Sequence, residues 1–145
     1  MRVIAIVPAF NEAPRIGAVL PPLLEAVRAG TLADLLVVDD GSKDDTAAVA
    51  RGLGARVDTV HPNGGKGQAM LRGTRWAWAR GAEAVAYFDA DLVGLRAEHV
   101  AQLVAPVASG RAGMCAGLRD YGDAYNALQA ALPPITGERV VLRRV

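Results

Sequence analysis

One cysteine and two histidines are all the thiol and imidazole side chains this chain has, and aromatics make up only 5% of it. Cys115 alone cannot close an internal disulfide, and with two histidines it makes neither a zinc set nor a nucleophile dyad. Cys115 is expected to pack in the core and His99 to sit on a helix surface. No charge of one sign dominates: sixteen Lys plus Arg face fifteen Asp plus Glu, a formal net charge of +1. Without a single-signed field there is nothing to hold nucleic acid nonspecifically, and no nucleic-acid partner is expected. No apolar run approaches the ~20 residues of a membrane span, which leaves only peripheral membrane contact open. The first residues run straight into Val3-Ile4-Ala5-Ile6-Val7, without the basic start and cleavage site of a signal peptide, so a cytoplasmic location is expected. Lysine is scarce too: only Lys43 and Lys66 stand among the arginines. A lysine kept in such a sequence suits a place where a compact ammonium fits and a planar fork does not, and Lys66, between two glycines, is the better candidate.

What is abundant is core. At 145 residues and 52% hydrophobic, the chain is the size of one domain with a sizeable interior. Apolar runs of strand length recur at 3–7, 35–38, 84–88 and 112–116, and helical spacing fills most of the intervals, at 13–29, 44–53, 67–80 and 97–108. The alternation predicts an α/β fold: a mostly parallel sheet, Rossmann-like, with helices on both faces. Arg56-Val57-Asp58-Thr59-Val60 alternates instead, as a half-exposed strand near an edge does. Asp44 or Asp45 is expected to cap the second helix. In the third, Met70, Gly73, Thr74, Ala77 and Trp78 form the expected core stripe, and Trp76 a surface cover. Pro21-Pro22 predicts a kink or restart within the first helix.

Acidic residues follow two of the apolar strands, as Val38-Asp39-Asp40-Gly41-Ser42 and Phe88-Asp89-Ala90-Asp91. In an open α/β sheet ligands collect at the carboxyl ends of strands, so both clusters can line one crevice. If the chain stays extended, Asp89 and Asp91 point the same way, and such a pair of hard oxygen ligands suits Mg²⁺ or Mn²⁺. The rival reading of each Asp is a turn or helix cap. His61-Pro62-Asn63-Gly64-Gly65-Lys66-Gly67 leads into the third helix. Close backbone approach, unpartnered N–H groups and one ammonium would receive an anion such as diphosphate, although the spacing is not that of a Walker loop; a plain glycine-rich turn is the alternative.

Together, Pro8-Ala9-Phe10-Asn11-Glu12, Val38-Asp39-Asp40-Gly41-Ser42, Gly65-Lys66-Gly67 and Asp89-Ala90-Asp91 resemble, in order and spacing, the family 2 glycosyltransferases of the GT-A fold. Within that family the chain looks most like the group containing dolichyl-phosphate mannose synthases and glucosyl-3-phosphoglycerate synthases. Gly117-Leu118-Arg119 resembles that group's Gly-x-Arg, and Ile135-Thr136-Gly137-Glu138-Arg139 its Thr-Gly-x-x-Arg. The resemblance covers residues 1 to about 144 and implies a nucleoside diphosphate sugar donor of UDP or GDP type, with Mg²⁺ or Mn²⁺. Pro8, Ala9, Phe10, Glu12 and Asp40, with Asp39 beside it, would surround the nucleoside. Asp89 and Asp91, flanking Ala90, would hold the metal and diphosphate, and Lys66 would lie near the sugar nucleotide. Arg119 and Arg139 would meet the diphosphate or an anionic acceptor, so that Asp89, Asp91, Arg119 and Arg139 form the catalytic set.

Two departures from the family pattern stand out. Val93 occupies the position where many relatives carry a polar residue that helps the metal, which implies weak metal affinity or water in that place. The chain also stops just after Arg143-Arg144, where relatives continue with further helices, so the expectation is a single domain over 1–145 lacking C-terminal elements of its relatives. No general base stands out beyond Glu138 and Asp123. The acceptor, sugar, stereochemical outcome and oligomeric state are not legible. Two other functions compete: a noncatalytic nucleotide-sugar-binding module, and a nucleotidyltransferase. The latter would carry a glycine- and arginine-rich loop where Pro8-Ala9-Phe10-Asn11-Glu12 stands.

Overall fold

The structure, a computed structural model, describes residues 1–117 and 137–143. Its elements in chain order are β1 (Val3–Ala9), α1 (Ala13–Arg28), β2 (Asp34–Asp39), α2 (Thr46–Gly52), β3 (Arg56–Thr59), α3 (Lys66–Ala79), β4 (Ala84–Tyr87), α4 (Ala97–Ala108), β5 (Met114–Ala116) and β6 (Arg139–Leu142). They build a six-stranded sheet in the order β3-β2-β1-β4-β6-β5. β1 pairs in parallel with β2 and β4, and β2 with β3, while β6 runs antiparallel between β4 and β5. This is the expected α/β architecture, a mostly parallel sheet flanked by helices on both faces.

Every residue of β1 is buried because both of its faces are covered. Period-two alternation sends Val3, Ala5, Val7 and Ala9 into one core with the apolar stripes of α1 and α4, and Ile4 and Ile6 into another under α3. α3 approaches the sheet closely because Gly73 has no side chain: a Cβ there would stand 2.5 Å from Ile6 Cγ2 and 3.2 Å from Val38 Cγ2. β3 lies at the edge that its alternation predicts.

Four local expectations change. α1 runs unbroken through Pro21 and Pro22. The prolines sit on its outer side, Pro21 exposed and Pro22 half-buried. Water can satisfy the carbonyls they leave free, and burial of Ile16, Val19, Leu20, Leu23 and Ala26 holds the helix together. Trp78 leaves the core stripe and is 39% exposed, whereas Trp76 is half-buried beside Ile4 and Ile6's cluster with the Arg80 guanidinium 4.0 Å from its ring centre. Cys115 is half-buried against the larger core. β6 is a strand in a segment where the sequence pattern predicts none. Among the described residues no helix is long and apolar enough to cross a membrane.

Candidate active site

The carboxyl ends of β1, β2 and β4 open into a cleft of about 380 Å³. β1 delivers Pro8 and Ala9 to it, followed by Phe10 and Glu12; the segment after β2 delivers Asp40; the start of α3 adds Lys66; and the segment after β4 adds Asp89, Ala90 and Asp91. These residues come from chain positions up to 83 apart because parallel strands all end on the same side of the sheet. Two acidic clusters and the glycine loop therefore share one crevice, as the strand-end pattern predicts.

The reason Asp89 and Asp91 share it differs from the expectation. β4 ends at Tyr87, and Ala90 and Asp91 lie in a turn. The turn, and not the pleat of an extended strand, brings both carboxylates to the cleft. Asp39 and Asp40 also part company. Both are buried, but Asp39 Oδ1 accepts the Ser42 backbone N–H at 3.2 Å and Asp39 is not among the cleft-lining residues. It shapes the turn after β2.

Asp40 organises the glycine loop. Its Oδ1 accepts the Gly64 N–H at 2.9 Å and its Oδ2 the Gly65 N–H at 2.7 Å. Asn63 completes the clamp, donating from Nδ2 to the Asp40 carbonyl at 2.9 Å and accepting the Gly65 N–H at 3.1 Å through Oδ1. Gly65 has φ 88°, a left-handed value that glycine takes without strain, and it turns the chain into α3. The first N–H groups of that 14-residue helix have no partner within it, so its positive end is presented where Gly65, Lys66 and Ala69 line the cleft.

Lys66 Nζ stands 2.5 Å from Asp89 Oδ1. Gly137 also stands against Asp89: a Cβ there would collide with both carboxylate oxygens. The segment entering β6 thus packs its backbone against the acid. Two positions further on, Arg139 pairs with Tyr87 across the β4–β6 ladder and sets its guanidinium 5.4 Å from the Tyr87 ring centre. Arg139 does not line the cleft. Arg119, Asp123, Thr136 and Arg144 lie outside the described residues.

Glu12 lines the cleft with its side chain 18% exposed and pairs with Arg15 at 2.6 Å. Behind it, Asp44 ties two helix starts together: Oδ2 accepts the Ala13 N–H at 3.1 Å and Oδ1 the Thr46 N–H at 3.0 Å, with the Thr46 hydroxyl also donating to Oδ1. That hydroxyl bond, foremost, holds the Asp44 carboxyl below its ordinary value. Of the two expected caps, Asp44 is the one that bonds; Asp45 makes no side-chain cap hydrogen bond.

A second, larger opening of about 710 Å³ lies on the α4 side, lined by Leu92, Leu95, Leu103 and Cys115 with the buried Glu138. Asp91 lines both openings. Val93, 95% exposed, lines the larger one and is not among the residues lining the 380 Å³ cleft. The sequence reading includes Asn63 in the glycine loop and Gly137 in the Thr-Gly-x-x-Arg segment but gives neither a role of its own in the site. An Asn two residues before a Gly is a turn signal that could have identified Asn63; nothing local signals that Gly137 meets Asp89.

Comparison with known proteins follows this geometry. The profile of glycosyl transferase family 2 matches residues 4–137. A 4,4'-diaponeurosporenoate glycosyltransferase of Staphylococcus aureus is 36% identical over 104 residues, 68% of this chain and 26% of the relative. Glucosyl-3-phosphoglycerate synthase from Mycobacterium tuberculosis, solved with Mn²⁺, uridine diphosphate and glucosyl-3-phosphoglycerate, superposes with a TM-score of 0.79 at 28% identity, covering 97% of this chain and 56% of that one. The same enzyme with Mn²⁺ and UDP-glucose gives the same score and coverage. The chain thus spans about a quarter of the curated relative's length and just over half of the solved one's.

Proposed function

Because the chain belongs to glycosyl transferase family 2, we propose that it forms the donor-binding part of an enzyme that moves a sugar from a nucleoside diphosphate sugar to an acceptor, with Mg²⁺ or Mn²⁺. The observation that carries this reading is the single cleft shared by Pro8, Phe10, Glu12, Asp40, Lys66, Asp89 and Asp91. Family membership sets the nucleotidyltransferase alternative aside.

The residues present fit a divalent cation. Asp89 and Asp91 are hard oxygen donors on one cleft, and Asp89 already attracts a cation, the Lys66 ammonium. Among the described residues no cluster of three or more His, Cys, Asp or Glu forms; of these residues Asp89 and Asp91 would hold the ion, together with water and the donor's phosphates. A bound ion supplies positive charge that stabilises the departing diphosphate. The chain's own residues contribute in the same direction. The positive end of α3 and the Lys66 ammonium face the cleft, which favours the developing charge of a leaving diphosphate. Asp40 and Asn63 keep that end in place through the glycine loop, and Pro8, Ala9 and Phe10 make the apolar wall expected against a nucleoside.

The solved relatives that bind UDP and UDP-glucose support a UDP-type donor. For the acceptor, the opening that shares Asp91 with the donor cleft is the neighbouring space, since the reacting sugar lies beyond the diphosphate. Both named relatives act on acids, a phosphoglycerate and a diaponeurosporenoate. An anionic acceptor needs little help from a base, which suits a site with no evident one. Arg119 remains the proposed partner of such an anion; Arg139, over the Tyr87 ring, lines neither opening.

The test is a thermal-shift series with UDP-, GDP- and ADP-sugars, each with and without Mn²⁺. Ligand at 100 times its Kd should add about 2.7 kcal/mol of stability. UDP-sugars should stabilise the protein in a Mn²⁺-dependent manner, and release of free nucleoside diphosphate separates an enzyme from a module that only binds. No stabilisation by any nucleotide sugar, with or without metal, would refute the reading.

A further inference from the structure

We propose that Lys66 is a resident counter-cation of Asp89: it occupies the carboxylate in the ligand-free protein and must leave it when a divalent cation arrives, passing to the donor's diphosphate. This deepens the donor-and-metal reading above and rests on it.

Three observations carry the proposal. The first is the contact itself, Lys66 Nζ to Asp89 Oδ1 at 2.5 Å, on one of the two carboxylates proposed to hold the cation. A divalent ion on Asp89 would face that ammonium at close range, and two cations on one carboxylate repel. The second is which partner is free to move. The Asp89 side chain is 16% exposed and stands against the Gly137 backbone, where there is no room for even a Cβ. The Lys66 side chain is 57% exposed, at the end of a flexible four-carbon stem on the first residue of α3. The exchange is therefore made by the lysine swinging and not by the aspartate. The third is where it can go. Lys66 and Asp91 line the same cleft as the positive start of α3, so a diphosphate received there offers the displaced ammonium a new anion within the same space.

The consequence is coupling between two ligands. Without donor, the cation competes with Lys66 for Asp89 and binds more weakly than two carboxylates would otherwise hold it. With donor present, Lys66 has a second anion to pair with and the competition falls away. Each ligand then raises the affinity for the other, by the same factor in both directions.

The experiment titrates Mn²⁺ into the protein, following the electron paramagnetic resonance of free Mn²⁺, with and without UDP, for the wild type and for Lys66→Met and Lys66→Gln. In the absence of UDP both variants should bind Mn²⁺ tighter than wild type, by roughly two- to tenfold, the scale of a half-exposed ion pair plus the repulsion removed with it. UDP should strengthen Mn²⁺ binding by a larger factor in wild type than in either variant; the difference isolates the lysine, since direct contact between Mn²⁺ and UDP is common to all three. Equal or weaker Mn²⁺ binding by both variants would overturn the exchange while leaving the metal site intact. If Mn²⁺ binds none of the proteins even with UDP present, the donor-and-metal reading fails and the exchange with it. Circular dichroism of the variants checks that the fold is unchanged, as expected for an exposed side chain.

Discussion

The Asp40 carboxylate holds the Gly65 backbone N–H at 2.7 Å, so a buried acid at the end of one strand fixes the start of the helix that follows the next strand. Asp40→Ala removes both acceptors from the Gly64 and Gly65 N–H groups. Stability should fall by about 1 to 3 kcal/mol, the scale of hydrogen bonds to a charged acceptor. Donor affinity should fall as well, because the loop would no longer present α3 to the cleft. Chemical denaturation and UDP titration of the variant measure the two losses separately.

Asp91→Asn should abolish Mn²⁺-dependent donor binding with the fold intact. Asp91 is exposed and packs in no core, and the substitution removes one of two carboxylates offered to the cation. Loss of a neighbouring negative charge should leave apo stability equal or slightly higher. Calorimetric UDP-sugar titrations with and without Mn²⁺ provide the check, and wild-type metal dependence in the variant would remove Asp91 from the site.

Gly73→Ala tests the packing of α3. Alanine in a helix interior is favoured over glycine by about 1 kcal/mol. Against that, its Cβ would stand 2.5 Å from Ile6 Cγ2 in the fully buried strand β1, a contact relieved only by moving helix or strand. Overpacking costs about 1 to 3 kcal/mol and should win. A lowered denaturation midpoint is expected, and a raised one would show that α3 sits further from the sheet.

Asp44 gives a pH-dependent contribution. Its folded pKa is lowered below 3.8, chiefly by the Thr46 hydroxyl, so the ionised form is the one that stabilises. That contribution is fully present above the unfolded value and is lost as pH falls through the folded one. Comparing thermal midpoints of wild type and Asp44→Ala, the gap should be constant from pH 7 down to about 5 and close as pH drops below 4. A gap that persists unchanged at pH 2 would show that the Asp44 contacts to Ala13 and Thr46 do not depend on its charge.

Much of this was legible in the sequence because it depends on local pattern. Doubly apolar runs announced β1 and β2 as central strands, alternation placed β3 at the edge, and acids directly after strand ends marked the crevice, since parallel strands must finish on one side. What the sequence alone could not decide concerns residues that meet only through the fold. β6 enters between β4 and β5 from a distant part of the chain, and its Arg139–Leu142 run is too short to announce a strand. Asp39 and Asp40, adjacent in sequence, hold different parts of the structure because one closes its own turn and the other reaches a loop 24 residues away. The contacts of Asp89 with Lys66 and Gly137 likewise join three segments whose closeness no periodicity encodes. Burial pattern is a property of each segment and survives in the sequence; pairing across the sheet is set by how the segments pack, and only the assembled fold fixes it.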